Sequence, residues 1–207
     1  MSLGKNQTKS THKGAVDRSH GPSTLQKLVF ASGHFIILLF CTFLIYYPNI
    51  FTDYLGFTLT LSDPFRAKIL LACAFIYWLR HLLTLFYLLE RKVVWSEVIG
   101  LLFLMAFFEI GVLLLGGGAF RSSSAPLNWM DLIALFLYLF GSFLNSFSEI
   151  QRKWWKSYPA NKGHCYTEGL FRYSMHINYF GDNLLFLGWC LFAKNLWILL
   201  FPLFMGL

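Results

Sequence analysis

Fourteen consecutive residues, Gly169 to Asp182, concentrate the side chains best suited to chemistry. They read Gly-Leu-Phe-Arg-Tyr-Ser-Met-His-Ile-Asn-Tyr-Phe-Gly-Asp. The run supplies a guanidinium (Arg172), an imidazole (His176), an amide (Asn178), two phenols (Tyr173 and Tyr179) and a carboxylate (Asp182), with Gly169 and Gly181 near its ends. Cationic and hydrogen-bonding groups beside flat aromatic rings suit an anionic, nucleotide-like ligand.

Two further clusters have helical spacing. Tyr77, Arg80, His81 and Thr84 follow i, i+3, i+4, i+7 and share one helix face. Arg80 falls inside an apolar segment, where a charge costs about 2.5 to 3.5 kcal/mol on insertion scales, so it must face protein or a water-filled cavity. This face reads either as a packing seam with Arg80 neutralised by Glu109 or Glu149, or as the wall of a substrate or cofactor site. Glu109, itself in an apolar segment, is accordingly a proton donor or the partner of Arg80. Asn145, Ser148, Glu149 and Arg152 repeat the spacing, as a site wall or as a solvated helix end. His34, a lone imidazole in another apolar run, reads as structural.

The elements that position these residues are expected to be membrane helices. The 207 residues are 57% hydrophobic and 13% charged, and the mean hydropathy is positive, which excludes an ordinary soluble domain. The expected fold is all-α, a polytopic transmembrane helix bundle of about five to six membrane segments. Residues 1–27 are polar and basic and are expected to form a flexible cytoplasmic tail. Residues 28–207 are expected to form a single multi-span membrane domain.

Apolar runs of about membrane-spanning length cover Leu28 to Tyr47, Ala67 to Leu89, Ser96 to Leu115 and Trp129 to Ser148. Between the first two, Pro48 to Arg66 is a connection whose apolar centre suits the membrane interface. Ser96 is the expected N-cap of the third span. Gln151 to Gly163, with Arg152, Lys153, Lys156 and Lys162 beside Trp154, Trp155 and Tyr158, reads as a headgroup-region anchor. Asn183 to Leu207 is either one helix with Lys194 facing protein or a re-entrant helical pair broken at Lys194 and Asn195.

Twelve Lys and Arg lie in the tail, the Glu90 to Glu97 loop and the loop after the fourth span, against three in the alternate connections. By the positive-inside rule the N-terminus and the Gly169 to Asp182 motif face the cytoplasm. The same distribution explains the net charge of +7 without nucleic acid. The four cysteines have no Cys-x-x-Cys spacing, so neither a disulfide framework nor a metal site is expected. Gly116-Gly-Gly118 lacks Gly-x-Gly-x-x-Gly spacing and no βαβ pattern surrounds it. Any nucleotide must therefore bind among membrane helix ends.

Gly-Leu-Phe-Arg-Tyr followed by His-Ile-Asn-Tyr-Phe-Gly-Asp resembles the cofactor motif of the DUF1295 and steroid 5α-reductase C-terminal family of membrane reductases. Met175, Ile177 and Asp182 stand where that family commonly has arginine, proline and glutamate. Tyr77-Trp-Leu-Arg80 resembles its Tyr-x-x-Arg element, and Asn145 to Glu149 resembles its Asn-x-x-Ser-Asp element. The resemblance implies a membrane-embedded, NADPH-dependent reductase acting on a double bond of an apolar, steroid-like or lipid substrate. It implies Tyr77 as the group that polarises or protonates substrate, with Arg80 beside it and Glu109 as a nearby acid. It also implies a cofactor site of Asn145, Ser148, Glu149, Arg152, Arg172, Tyr173, His176, Asn178, Tyr179, Gly181 and Asp182.

A related family, the isoprenylcysteine carboxyl methyltransferases, shares a similar signature and implies S-adenosylmethionine as an alternative. A third expectation is a truncated non-catalytic member, because relatives normally continue to a second polar motif beyond the point matching Leu207. The expected membrane is a bacterial inner membrane or the endoplasmic reticulum.

Overall fold

The structure, a computed structural model, describes residues 21–56, 59–161, 163–195 and 197–205. Among the described residues seven α-helices follow one another: α1 (Thr24–Tyr46), α2 (Asn49–Leu55), α3 (Pro64–Leu83), α4 (Trp95–Gly116), α5 (Trp129–Ser157), α6 (Ile177–Phe192) and α7 (Leu200–Met205). Among the described residues there is no β-strand, and the expected all-α bundle is what forms. Among these residues four stretches are long and apolar enough to cross a membrane: α1, α3 with its extension to Leu88, α4 and α5. The 16 residues of α6 reach about 24 Å, less than the ~30 Å of a hydrocarbon core.

Local chemistry sets the helix limits. α1 starts at Thr24, ahead of the expected Leu28, and Lys27 Nζ donates to Leu89 O at 2.7 Å. The rest of the expected tail, residues 1–20, lies outside the described residues. The connection after α1 contains the short helix α2. Beyond α3, Thr84–Leu88 forms one wide turn closed by Leu89 N donating to Thr84 O at 2.8 Å.

α4 begins at Trp95, with Val94 and not Ser96 at the N-cap; the Arg91–Glu97 ion pair (2.8 Å) braces its first turn. It ends at Gly116, and Gly118 turns the chain with φ +79°, a conformation glycine adopts without strain. Asn128 and Asp131 form a reciprocal capping box at the start of α5. That helix continues nine residues past the expected end at Ser148, because neither glycine nor proline occurs between Gly141 and Pro159. Half of the expected basic loop is therefore helical. The last apolar run is broken and is not one span: α6 stops at Phe192, and Lys194 has φ +51°.

The core is aromatic. Trp189 of α6 meets Tyr77 (5.6 Å), Phe108 (5.2 Å) and Tyr138 (5.4 Å) edge to face, and the Tyr138 hydroxyl donates to Cys73 O at 2.5 Å. α5 and α6 share the most extensive interface, and glycines make it possible. A Cβ on Gly141 would lie 2.4 Å from Leu185 N, one on Gly181 2.6 Å from Asn145 N, and one on Gly188 2.4 Å from Ala134 O. These neighbours are backbone atoms that cannot swing aside.

Gly141→Ala should therefore destabilise the bundle by about 1 to 3 kcal/mol, the usual cost of overpacking. Gly100→Ala, where nothing lies within 4 Å of the added methyl, should be neutral or stabilising by ~0.5 to 1 kcal/mol. Thermal unfolding of the two variants in detergent checks the contrast.

Candidate functional site

The seam brings the polar faces recognised in the sequence into contact. Arg80, in the last turn of α3, forms an ion pair with Asp182 of α6, Nη1 to Oδ1 at 2.8 Å. Asn145 of α5 donates from Nδ2 to Asp182 Oδ2 (2.9 Å) and to Asn178 O (3.0 Å). Asn178 in turn donates from Nδ2 to Glu149 Oε1 at 2.8 Å, and Glu149 is paired with Arg152. Arg80, Asp182, Asn145, Asn178, Glu149 and Arg152 thus form a polar ladder through three helices. Asn178 and Asp182 are spaced i, i+4 on α6, as Asn145 and Glu149 are on α5, which lets the rungs meet.

The ladder ends at a cavity of about 270 Å³ lined by Glu90, Glu149, Arg152, Lys153, Lys156 and Ser157. Lys153 Nζ donates to Tyr87 O (2.5 Å) and meets Glu90 Oε1 (3.1 Å). The exposed Lys156 has no ionic partner among the described residues. Arg152 also lies over the ring of Phe171 at 5.5 Å, which ties the cavity to the turn Gly169–Arg172 that opens the motif.

Several site residues lie elsewhere than expected. Arg80 pairs with neither Glu109 nor Glu149. Glu109 instead meets His34 Nε2 at 2.6 Å, and His34 Nδ1 lies 3.1 Å from His81 Nδ1, giving a chain from buried Glu109 on α4 through buried His34 on α1 to half-buried His81 on α3. Tyr77 is only 5% exposed, with the Arg80 guanidinium 4.9 Å above its ring, and it does not line the cavity. Ser148 is fully buried and turns its hydroxyl to Asn145 O (3.0 Å) in its own helix. Gly181 serves the seam. Arg172, Tyr173, His176 and Tyr179 are exposed and stand apart from the ladder. His176 caps α6, its ring 5.9 Å from that of Tyr179.

The profile of DUF1295, described as a protein of unknown function, matches residues 80–207. The chain belongs to the DUF1295 family. No curated protein and no solved structure matches it. The family region opens at Arg80 and contains the whole ladder and every residue of the cavity, whereas His34 and Tyr77 precede it.

Four polar residues of the cavity lie outside the site expected from the sequence, Glu90, Ser157, Lys153 and Lys156, the last two of which read there as membrane anchors. The signal of these two lysines was the spacing Arg152, Lys153, Lys156, which converges on one side only if α5 continues to Ser157. His34 escaped because its partner is 75 residues away in the chain.

The Arg80–Asp182 pair gives a direct test. Arg80→Gln alone, leaving Asp182 uncompensated, should cost about 3 kcal/mol, near the low end for breaking a buried pair because Asp182 retains some exposure. Adding Asp182→Asn should restore most of the loss, read as the coupling in a double-mutant cycle of unfolding in detergent.

Proposed function

We propose that this DUF1295 protein is a membrane-embedded enzyme that binds NADPH at the ladder end of the bundle and reduces a double bond in an apolar, steroid- or lipid-like substrate. The observation that carries this reading is the convergence of Arg152, Lys153 and Lys156 on one cavity beside the ladder. Three cations face Glu149 and Glu90, and Glu149 is already engaged by Arg152 and Asn178. The rim is left net positive, as phosphate recognition requires. S-adenosylmethionine carries a cationic sulfonium and no phosphate, so the cavity favours the dinucleotide over the methyl donor.

At about 270 Å³ the cavity takes a phosphate-bearing part of a nucleotide and not the whole. The exposed rings of Tyr173, His176 and Tyr179 offer flat faces for its aromatic parts, and Arg172 a further cation. When bound, the cofactor supplies a hydride. Tyr77 and Arg80, at the inner end of the ladder, meet the substrate in this reading, with Tyr77 as proton donor. Its hydroxyl must then become accessible on substrate entry, since the ring is enclosed by Phe186, Trp189 and His81. Glu109 is linked to that region through His34, which meets both His81 and the Tyr77 ring. By the positive-inside bias this end faces the cytoplasm, where NADPH is available.

Equilibrium binding of NADPH and of S-adenosylmethionine to the detergent-purified full chain tests the reading. NADPH should bind with an affinity that falls as salt rises. Lys153→Ala with Lys156→Ala should weaken it at least about tenfold, since a hydrogen bond to a charged group is worth about 1.5 to 3 kcal/mol. Selective binding of S-adenosylmethionine would move the assignment to methyl transfer, and binding of neither would favour a non-catalytic member.

A further inference from the structure

At the opposite end of the bundle, the start of α5 and the end of α6 border a larger cavity of about 450 Å³. Its polar lining, Asn128, Asp131, Lys194 and Asn195, lies at the helix ends. Ile133 and Leu191 lie within the helices and, with Leu199, make the rest largely apolar.

The hydrogen bonds of the polar groups are unevenly spent. Asp131 Oδ1 accepts from Arg66 Nη1 at 2.5 Å; Oδ2 accepts from Asn128 N at 2.7 Å and lies 3.1 Å from Lys194 Nζ. Asn128 Oδ1 accepts from Met130 N, and Asn195 Oδ1 from Trp197 N, each at 3.0 Å. Every side-chain oxygen in the mouth therefore has a donor. The donors are in surplus: Lys194 uses two of its three N–H groups, on Asp131 and on Pro126 O (2.9 Å). The side-chain NH₂ groups of Asn128 and Asn195 have no partner among the described residues. Lys194 and Asp131 balance within the lining, and Arg66, buried behind Asp131 and paired with it, adds one positive charge just outside the lining.

Lys194 reaches this position with φ +51°, a left-handed conformation that favours glycine. Backbone strain of this kind concentrates at functional sites. Trp129, 68% exposed at the start of α5, is the type of residue that marks a membrane interface.

We propose that this cavity binds an anionic membrane phospholipid, whose phosphate is received by Lys194, Asn128 and Asn195 and whose acyl chain occupies the apolar part. Phosphate is an acceptor with negative charge, matching a mouth of unspent donors whose carboxylate, Asp131, is already engaged by Arg66 and Asn128. The site is independent of the NADPH reading: along α5 the two cavities are separated by the stretch from Ile133 to Glu149, about 24 Å as a helix.

The test is lipid retention by the purified full chain, measured by native mass spectrometry with phosphatidylglycerol or phosphatidylcholine of identical acyl chains. Phosphatidylglycerol should be retained preferentially. Lys194→Gly, which removes the ammonium and suits the positive φ, should lower that retention about fivefold, the weight of one basic residue at an anionic surface. Lys194→Arg should keep the preference. Ile133→Trp leaves the charges in place and fills the apolar part, and should reduce retention of both lipids. Equal retention of the two lipids by the unmodified chain, or unchanged phosphatidylglycerol retention in Lys194→Gly, overturns the proposal. So does a lipid-free dimer that Lys194→Gly dissociates, since the occupant would then be a second copy of the chain.

Discussion

The backbone-to-backbone approach of α5 and α6 is the constraint on which the rest of the molecule depends. Between membrane helices the hydrophobic effect supplies little attraction, and association rests on close packing and interhelical hydrogen bonds. Gly141, Gly181 and Gly188 meet both needs at three levels of one seam, each leaving no room for a side chain. Once these contacts are made, the register is set along the whole pair. Asn145 must face Asn178 and Asp182, and Glu149 must face Asn178. At the other end of the same pair, Asp131 must face Lys194. The ladder and the second cavity are both consequences of one packing solution.

Around that seam the bundle neutralises its ionisable groups in sets that each join separate helices. Arg80 and Asp182 tie α3 to α6, Arg66 and Asp131 tie α3 to α5, and His34, Glu109 and His81 tie together α1, α4 and α3. Buried ion pairs add little net stability once desolvation is counted, but leaving one partner alone is costly. Their effect here is to penalise any rotation of these helices that would separate the partners. Arg66 shows the principle most fully, its guanidinium also donating to Phe192 O and Ala125 O at 2.9 Å each.

The two ends differ in what they leave over. At the ladder end the carboxylates and amides engage one another, and the surplus is cationic side chains beside an open cavity. At the opposite end the surplus is N–H donors above an apolar groove. One is a polar pocket next to Phe171, and the other an apolar groove with N–H donors at its rim.

Hydrophobicity summed over about twenty residues settled the class of the molecule and the approximate places of its four long helices, because burial in hydrocarbon depends on composition more than on partners. Helical periodicity alone also put Tyr77 with Arg80, and Asn145 with Glu149 and Arg152, on common faces. It could not decide whether Arg80 would meet Glu109, Glu149 or Asp182, since any carboxylate satisfies a guanidinium and only packing selects one. Nor could it show that His34 would bind Glu109, or that Lys153 and Lys156 would close a cavity, because those contacts depend on how far α5 continues and how the helices are rotated. Those choices were made by the tertiary structure, above all by three glycines whose missing side chains let two helices touch.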